Sequence, residues 1–276
     1  MRLFLLRRPQ PTYVMGVSWP RSGHHLLVRL LSLYYGPRFT YCGFYGQPDC
    51  CGQTPCARAG MIRYSKNHDF DGSLPQDAEQ RHLIQTRAFA PSVVSNFELY
   101  LREGGSDDAA SFARFASAQF TAWRAFQDKW VTSGFARTQT VIPYEALIRD
   151  PATALAYALS SFGDTRPDPA RLRAAISGVD GEDVAQRRIT PRPGSGVHAP
   201  RDVTQFRHYN AHLFRHLDKL HLTRQEVNRL FRRHLGRDAA EANMLALQAS
   251  PSLDALERMI LGSPEYTARG RRLRAV

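Results

Sequence analysis

Apolar residues at the start of the chain change from a short continuous run to a run at helical spacing. Residues 13–18 are apolar and β-prone and are bounded by Pro11 and Pro20, a pattern that predicts a short buried strand. From His24 to Tyr35, leucines recur every three or four residues, which predicts a helix. The chain therefore begins with a strand, a tight turn and a helix.

The same alternation continues to about residue 150. Apolar runs predict further strands at 61–65, 82–87 and 138–143, and helical spacing predicts helices at 91–102 and 111–131. Strands that alternate with helices are typical of a parallel sheet covered by helices, so we expect an α/β fold. Beyond residue 202 the pattern is helical throughout, and a change in composition predicts domains at 1–221 and 222–276.

Composition and charge narrow the class of protein. Of the 276 residues, 43% are hydrophobic and 22% are charged, which indicates a globular chain with a sizeable core. The formal net charge is +12, and only three of the 37 basic residues are lysine (Lys66, Lys129 and Lys219). Arginine forks bind phosphate and sulfate oxygens well. Because no nucleic-acid-binding motif accompanies the charge, we expect a small anionic ligand and no nucleic-acid partner.

The chain carries no signal for membrane insertion or export. No apolar run approaches the ~20 residues that a spanning helix needs. The apolar run at Leu3–Leu6 is too short for the core of a secretory signal. We therefore expect a cytoplasmic protein.

The turn after the first strand predicts an anion site. A turn that opens a helix directly after a buried strand collects backbone N–H groups and the positive helix end around one point. The kinase-type GxxxxGK[ST] loop is not present, because the turn has a single glycine, Gly23, and no lysine after it. A plain structural turn is the alternative reading of this segment alone.

The segment Ser18–His25 resembles the 5′-phosphosulfate loop of sulfotransferases that use 3′-phosphoadenosine 5′-phosphosulfate, and bacterial carbohydrate or glycolipid enzymes in particular. Three further elements follow in the family's order. Arg87 with Ser95 resembles the pair that binds the 3′-phosphate, and Tyr144 begins a run like the family's Tyr-Glu-Asp-Leu segment near the adenine. The run 192–196, the third of these elements, resembles the loop that closes over the 3′-phosphate. In addition, Lys66-Asn67-His68 at the end of a predicted strand resembles a Lys-Thr-His run that supplies the base.

The resemblance implies a P-loop-like α/β fold and a role for each matching residue. His68 is the expected base, with Arg21 and Lys66 as cations beside the departing oxygen. His24 or His25 is an alternative base, Ser92 an alternative to Ser95, and a surface pairing of His68 with Asp69 the alternative for that histidine. The implied nucleotide-binding residues are Trp19, Pro20, Arg21, Ser22, Gly23, His24, His25, Arg87, Ser95, Tyr144, Arg192 and Gly194.

The implied reaction is sulfuryl transfer to an acceptor hydroxyl on a saccharide or glycolipid, with adenosine 3′,5′-bisphosphate as the product and no metal in the chemistry. Two alternatives remain open. A P-loop-like phosphotransferase would bind ATP with Mg²⁺. A non-catalytic protein would use the basic surface to hold an anionic polysaccharide or nucleic acid.

All four cysteines lie in one loop: Cys42, Cys50, Cys51 and Cys56. Such a density favours a joint role. A structural zinc site, although the usual zinc-knuckle spacing is absent, and two disulfides are the two main readings, with free thiols as a third. The expected effect is to hold a loop beside the acceptor site.

The carboxyl-terminal residues predict a small helical module. Thr223 and Glu226 have the spacing of a capping box, which opens a helix that reaches about Leu235. The module resembles small helical units attached to bacterial carbohydrate-modifying proteins, which favours a glycan acceptor. The arginines at 269, 271, 272 and 274 would allow peripheral contact with anionic lipid at the inner face of the membrane.

Overall fold

A single parallel sheet organises the amino-terminal part of the molecule. In a computed structural model, residues 11–45, 50–185, 202–220, 222–250 and 252–273 are described. The strands are β1 (Val14–Ser18), β2 (Tyr41–Cys42), β3 (Tyr64–Asn67), β4 (His82–Thr86) and β5 (Thr140–Pro143). All pairings are parallel, and the order across the sheet is β2-β3-β1-β4-β5. The expected α/β fold with a parallel sheet flanked by helices is therefore confirmed.

Eleven α-helices occur in the described residues, some of them only one or two turns long. They are α1 (His24–Tyr35), α2 (Phe89–Arg102), α3 (Ala109–Trp130), α4 (Tyr144–Arg149), α5 (Pro151–Ser161), α6 (Pro169–Ala185), α7 (Ala211–Leu217), α8 (Arg224–Leu235), α9 (Met244–Gln248), α10 (Leu253–Leu261) and α11 (Pro264–Leu273).

The main core lies between the sheet and helices α1, α5 and α6. Leu27, Leu30 and Leu31 of α1 are fully buried against Leu155 and Leu159 of α5. These leucines recur at three- and four-residue spacing, so one face of each helix is apolar. The core packs against the sheet, in which β1 is the central strand.

The sequence prediction of the elements differs from the structure in two places. The second predicted strand, at 61–65, is wrong in its position, because β3 spans Tyr64–Asn67 and so includes Lys66 within the strand. Strand β2 was missed, since two residues in a cysteine-rich loop carry no periodic pattern. The proline at 91 lies in the first turn of α2, as predicted, where its missing N–H removes no helical hydrogen bond.

The described residues form two compact units. One contains the residues up to Gly105 together with Phe126–Phe206, and the other contains Ser106–Ala125 and the residues from Arg207 onward. Within the second unit, the predicted capping box is confirmed, because Thr223 and Glu226 exchange side-chain and backbone hydrogen bonds at the start of α8. The domain division at residues 221 and 222 stays a prediction.

Helices α8 and α10 share a separate apolar core. Val227 and Leu230 of α8 and Leu256 of α10 are buried in it. In the part of the chain that the structure describes, no helix combines the length and the apolar character needed to cross a bilayer.

Candidate functional site

The candidate site lies at the edge of the sheet where the parallel strands end. The register aligns Ser18 of β1 with Gln85 of β4 and Val17 with Asn67 of β3. Because the carboxyl ends of parallel strands meet at one edge, the residues that follow them come together there, which is where open α/β sheets bind ligands. The segments concerned are 19–25 after β1, 68–70 after β3, 87 after β4 and 144 after β5.

The turn from β1 to α1 is tight and shaped by two left-handed residues. Arg21 has φ +64° and Gly23 has φ +82°. The Ser22 N–H donates to the Trp19 carbonyl at 3.2 Å, and a Cβ on Gly23 would lie only 2.5 Å from Cδ2 of Tyr144. Position 23 therefore requires glycine for both conformation and space. The turn places the amino-terminal end of α1, which attracts anions, at the sheet edge.

Two arginines meet beside this turn. Arg21 donates from Nε to the Ser95 hydroxyl at 3.0 Å, and Arg87 donates from Nη1 to the Arg21 carbonyl at 3.0 Å. The Arg87 guanidinium also lies over the Tyr144 ring, 4.2 Å from its centre. The structure thus brings together four residues that the sequence assigned to the nucleotide site.

Trp19, Ser22 and Ser92 point into the protein interior. The Trp19 indole donates to the Ser92 hydroxyl at 3.2 Å, and its ring packs against Phe126 with centroids 5.7 Å apart. Ser92 in turn donates to the Phe89 carbonyl, and Ser22 donates to the Trp19 carbonyl. These side chains support the turn from the inside. Of the two serines considered for the 3′-phosphate, Ser95 is the one hydrogen-bonded to Arg21.

His68 follows β3 and contacts the residue that precedes the turn. Its Nδ1 lies 2.6 Å from the Ser18 carbonyl oxygen and 3.2 Å from the Ser18 hydroxyl. Because a carbonyl oxygen only accepts, Nδ1 carries the proton and Nε2 holds the lone pair of the neutral ring. Burial, followed by the charges of Lys66 and His25, lowers the pKa of His68 to about 4. At neutral pH the ring is uncharged, as a base requires.

An aromatic face borders His68. The backbone N–H of His68 donates to the Tyr45 hydroxyl at 2.8 Å, and the His68 and Tyr45 rings are stacked with centroids 5.3 Å apart. The Phe70 ring centroid is 5.1 Å from that of His68 and 5.8 Å from that of Tyr45. Tyr45 is 40% exposed and Phe70 is 68% exposed. A solvent-accessible apolar surface therefore adjoins the imidazole.

Asp69 is bonded to groups other than the His68 ring. Its Oδ2 accepts from the Trp130 indole at 2.7 Å and from the Lys129 ammonium at 2.8 Å, and its Oδ1 accepts from the Leu74 N–H at 2.7 Å. The alternative reading of His68 as a surface histidine paired with Asp69 is therefore not the arrangement in the structure. Asp69 instead fixes the loop that carries Phe70.

Lys66 places a positive charge among the histidines of the site. Burial lowers the pKa of Lys66 itself, and its Nζ lies 5.5 Å from the centre of the Tyr45 ring. Burial is the largest cause that lowers the pKa values of His24, His25 and His68, and the positive charge of Lys66 is the second largest. The strand end thus combines a cation with imidazoles that stay neutral.

The two histidines that open α1 have different surroundings. His24 is 5% exposed, its Nε2 lies 2.8 Å from the Tyr41 hydroxyl, and it is stacked on Tyr64. Burial lowers the pKa of His24 well below its usual value. The His25 ring is exposed, and partial burial, Lys66 and Arg21 lower its pKa. His24 is therefore enclosed, whereas His25 remains open to a ligand.

The four cysteines lie together in one cluster, in which Cys56 has side-chain hydrogen bonds with both Cys51 and Cys42. The Cys42 and Cys50 sulfurs are 3.5 Å apart, and the Cys51 and Cys56 sulfurs are 3.7 Å apart. None of the four is in a disulfide. Within the described ranges, no group of three or more histidine, cysteine or acidic side chains is arranged to hold a metal ion. The zinc site and the disulfides, the two main readings of these cysteines, both stay predictions.

Two predicted residues and two unpredicted ones complete the description. Arg192 and Gly194, expected to close over the 3′-phosphate, lie outside the described residues. Gln85 was not predicted, although a polar residue in a fully buried strand was a signal; its carbonyl accepts from the Trp19 N–H at 2.9 Å. Tyr45 was also missed, because an aromatic residue in an irregular loop has no pattern to reveal its contact with His68.

No protein-family model matches the chain, and a search of curated proteins finds no significant match. The fold and the site define an α/β protein whose strand ends gather cationic side chains and a neutral histidine around one tight turn.

Proposed function

We propose that this chain is a P-loop-like sulfotransferase that moves the sulfuryl group of 3′-phosphoadenosine 5′-phosphosulfate to a hydroxyl on a saccharide or glycolipid. The acceptor oxygen forms a bond to sulfur while the bond from sulfur to the bridging phosphate oxygen breaks. Adenosine 3′,5′-bisphosphate leaves, and the hydroxyl proton passes to a base. As in phosphoryl transfer, catalysis comes mostly from positioning and charge stabilisation.

The observation that carries the proposal is the contact between His68 and Ser18. The hydrogen bond from Nδ1 to the Ser18 carbonyl fixes the tautomer and joins the base directly to the strand that opens the anion-binding turn. Because Nδ1 keeps its proton in this bond, Nε2 stays unprotonated and can accept the proton of the acceptor hydroxyl. The lowered pKa of His68 in the free protein rises when a negatively charged donor binds nearby, because an anion stabilises the imidazolium.

The cations beside the turn suit the departing phosphate oxygen. Arg21 stands at the turn itself and Lys66 near the end of the neighbouring strand β3. As the bond from sulfur to oxygen breaks, negative charge grows on the bridging oxygen, and fixed positive groups stabilise it. We assign both residues to this role.

The remaining residues of the edge suit a nucleotide with two phosphate positions. The backbone of residues 19–25 would hold the 5′ side at the helix end. Arg87 and Ser95, both near Arg21, would bind the 3′-phosphate, with Arg192 and Gly194 closing over it. Tyr144, already beneath a guanidinium, would lie near the adenine.

The acceptor class follows from the surface next to the base. Tyr45 and Phe70 present adjoining, exposed rings beside His68, and Asp69 holds the loop that carries Phe70 through three hydrogen bonds. A rigid aromatic face of this kind stacks against the apolar face of a sugar ring. This supports a saccharide, free or as a glycolipid headgroup.

A phosphotransferase would need a carboxylate for Mg²⁺ near the turn. At the described strand ends, the Asp69 carboxylate is held by Lys129 and Trp130, and Glu145 accepts from the Ala88 N–H at 3.0 Å. Both carboxylates therefore already have structural bonds, which favours sulfuryl transfer over Mg²⁺-dependent phosphoryl transfer.

Thermal melts with three nucleotides test the proposal. The full chain is heated with adenosine 3′,5′-bisphosphate, with 5′-AMP or with ATP and Mg²⁺, each at the same concentration. A ligand at about a hundred times its dissociation constant adds ~2.7 kcal/mol of stability, enough to raise the midpoint by a few degrees.

We expect a clear rise with the bisphosphate and a much smaller one with 5′-AMP. A rise only with ATP and Mg²⁺ would instead support the phosphotransferase. If none of the three nucleotides shifts the midpoint while an anionic polysaccharide does, the chain is a polyanion-binding protein and the proposal is wrong.

A further inference from the structure

Two cysteines near the site form a pair with one accessible and one enclosed member. The Cys51 sulfur is partly exposed, whereas Cys56 is 3% exposed, and the two sulfurs are 3.7 Å apart. A disulfide needs about 2.05 Å between sulfurs, so a modest movement of this surface loop would join them. The pair has the layout of an attacking thiol and a resolving thiol.

The surroundings of Cys51 favour attack. The Ala57 N–H donates to its sulfur at 3.3 Å. Backbone hydrogen bonds with Gln53 and Ala57 lower the pKa of Cys51, while burial raises the pKa of Cys56. Since the thiolate is the nucleophile in exchange with disulfides, the accessible member of the pair reacts first.

The loop that carries the two cysteines is bonded to strand β3 and to the residue that precedes β1. The Asn67 side chain donates to the Thr54 hydroxyl at 3.0 Å, and the Cys56 N–H donates to the Tyr13 hydroxyl at 3.0 Å. Asn67 directly precedes the candidate base, His68. A covalent ring from Cys51 to Cys56 would include Thr54, the residue bonded to Asn67.

We propose that Cys51 and Cys56 are a redox-active dithiol that closes by exchange with a small disulfide such as oxidised glutathione. The Cys51 thiolate attacks one glutathione sulfur, forming a mixed disulfide and releasing one glutathione thiolate. The Cys56 thiolate then attacks the Cys51 sulfur and releases the second. The two cysteines lose two protons and two electrons in all, and oxidised glutathione becomes two molecules of reduced glutathione.

The test uses peptide mass after exposure to oxidised glutathione. Cleavage after Arg38 and Arg58 leaves all four cysteines on one peptide, so variants must separate the pairs. The double variant Cys42→Ser/Cys50→Ser retains only the proposed pair, and Cys51→Ser/Cys56→Ser is its matched control. A third variant adds Cys56→Ser to the first and leaves Cys51 alone.

In the first variant we expect a peptide lighter by two hydrogens with no glutathione attached. In the third variant Cys51 should retain one glutathione, because the resolving thiol is gone. The wild-type chain should lose at least two free thiols under the same treatment, which guards against a variant that does not fold.

Three results would overturn the proposal. They are a first variant that stays reduced, a first variant that keeps glutathione on both cysteines, and a wild-type chain that carries one zinc ion in native mass spectrometry. All of these readouts are independent of sulfuryl transfer, so they do not depend on the function proposed above.

Discussion

Arginines serve different purposes in the two units of the molecule. In the helical unit, Arg232 pairs with Asp238 and Arg237 pairs with Glu265, both at the surface. At the strand ends of the other unit, Arg21 bonds to a serine hydroxyl, and Arg87 bonds to a carbonyl and lies over the Tyr144 ring. These contacts orient each guanidinium at the strand ends. The comparison indicates that surface pairing with a carboxylate serves stability, whereas the contacts of Arg21 and Arg87 fix two guanidinium groups where the proposed nucleotide would bind.

The largest expected effect concerns the base. His68→Ala should lower the rate of sulfuryl transfer by roughly 10²–10⁴-fold, because the acceptor proton then has no positioned acceptor. Adenosine 3′,5′-bisphosphate should still raise the melting midpoint of the variant. His25→Ala tests the alternative base, and it should lose much less transfer activity than His68→Ala. If the two variants lost activity equally, His25 would have to share the role.

The second prediction tests the comparison between the arginines of the two units directly. Arg87→Ala should weaken binding of the bisphosphate by roughly 10- to 100-fold, since a charge-assisted contact to phosphate is worth about 1.5–3 kcal/mol. Affinity for 5′-AMP should change little. Arg232→Ala is the matched variant in the helical unit, and calorimetry should find its bisphosphate affinity unchanged. Equal losses in both variants would mean that general positive charge, rather than a built site, binds the nucleotide.

The turn itself is tested by an effect on stability instead of affinity. Gly23→Ala combines a backbone cost of about 1–2 kcal/mol at positive φ with a clash against Tyr144 worth about 1–3 kcal/mol. Gly104→Ala is the control, because Gly104 also has a positive φ but has open space around it. Urea unfolding should show a greater loss for Gly23→Ala. A smaller loss at Gly23 than at Gly104 would contradict the close contact with Tyr144.

The smallest effect is expected from the surface pair. Arg232→Ala removes the ion pair with Asp238, whose two side chains are both largely exposed. Such pairs contribute about 0–1 kcal/mol, so the free energy of unfolding should fall by no more than that. High salt should reduce the difference between wild type and variant further. A loss of several kcal/mol in the free energy of unfolding would contradict the small contribution expected of an exposed ion pair.

Much of the fold was predictable because its elements carry strong periodic patterns. The helix His24–Tyr35 and the strands around β1, β4 and β5 follow directly from apolar spacing. Strand β2 was not predictable, since it has two residues and depends on pairing with β3. Short strands are determined by their neighbours in the sheet rather than by their own sequence.

The sequence identified candidate residues for the site but not the contacts between them. Arg21, Ser95 and Arg87 were candidates because they match motifs of the family that the sequence resembles, whereas the hydrogen bond from Arg21 to Ser95 depends on tertiary packing. The same holds for the bond that orients His68 on Ser18 and for the stacking of Tyr45. Long-range contacts between irregular segments leave no local signal, so only the folded chain reveals them.

Nitrogen NMR of the His68 ring, with and without adenosine 3′,5′-bisphosphate, tests the central claim most directly. The account predicts a neutral ring with its proton on Nδ1 at pH 7, charged only as the pH falls toward about 4. Added bisphosphate should raise that pKa, because its negative charge favours the imidazolium. A proton on Nε2, or a pKa that the bisphosphate leaves unchanged, would contradict a base held beside a nucleotide site.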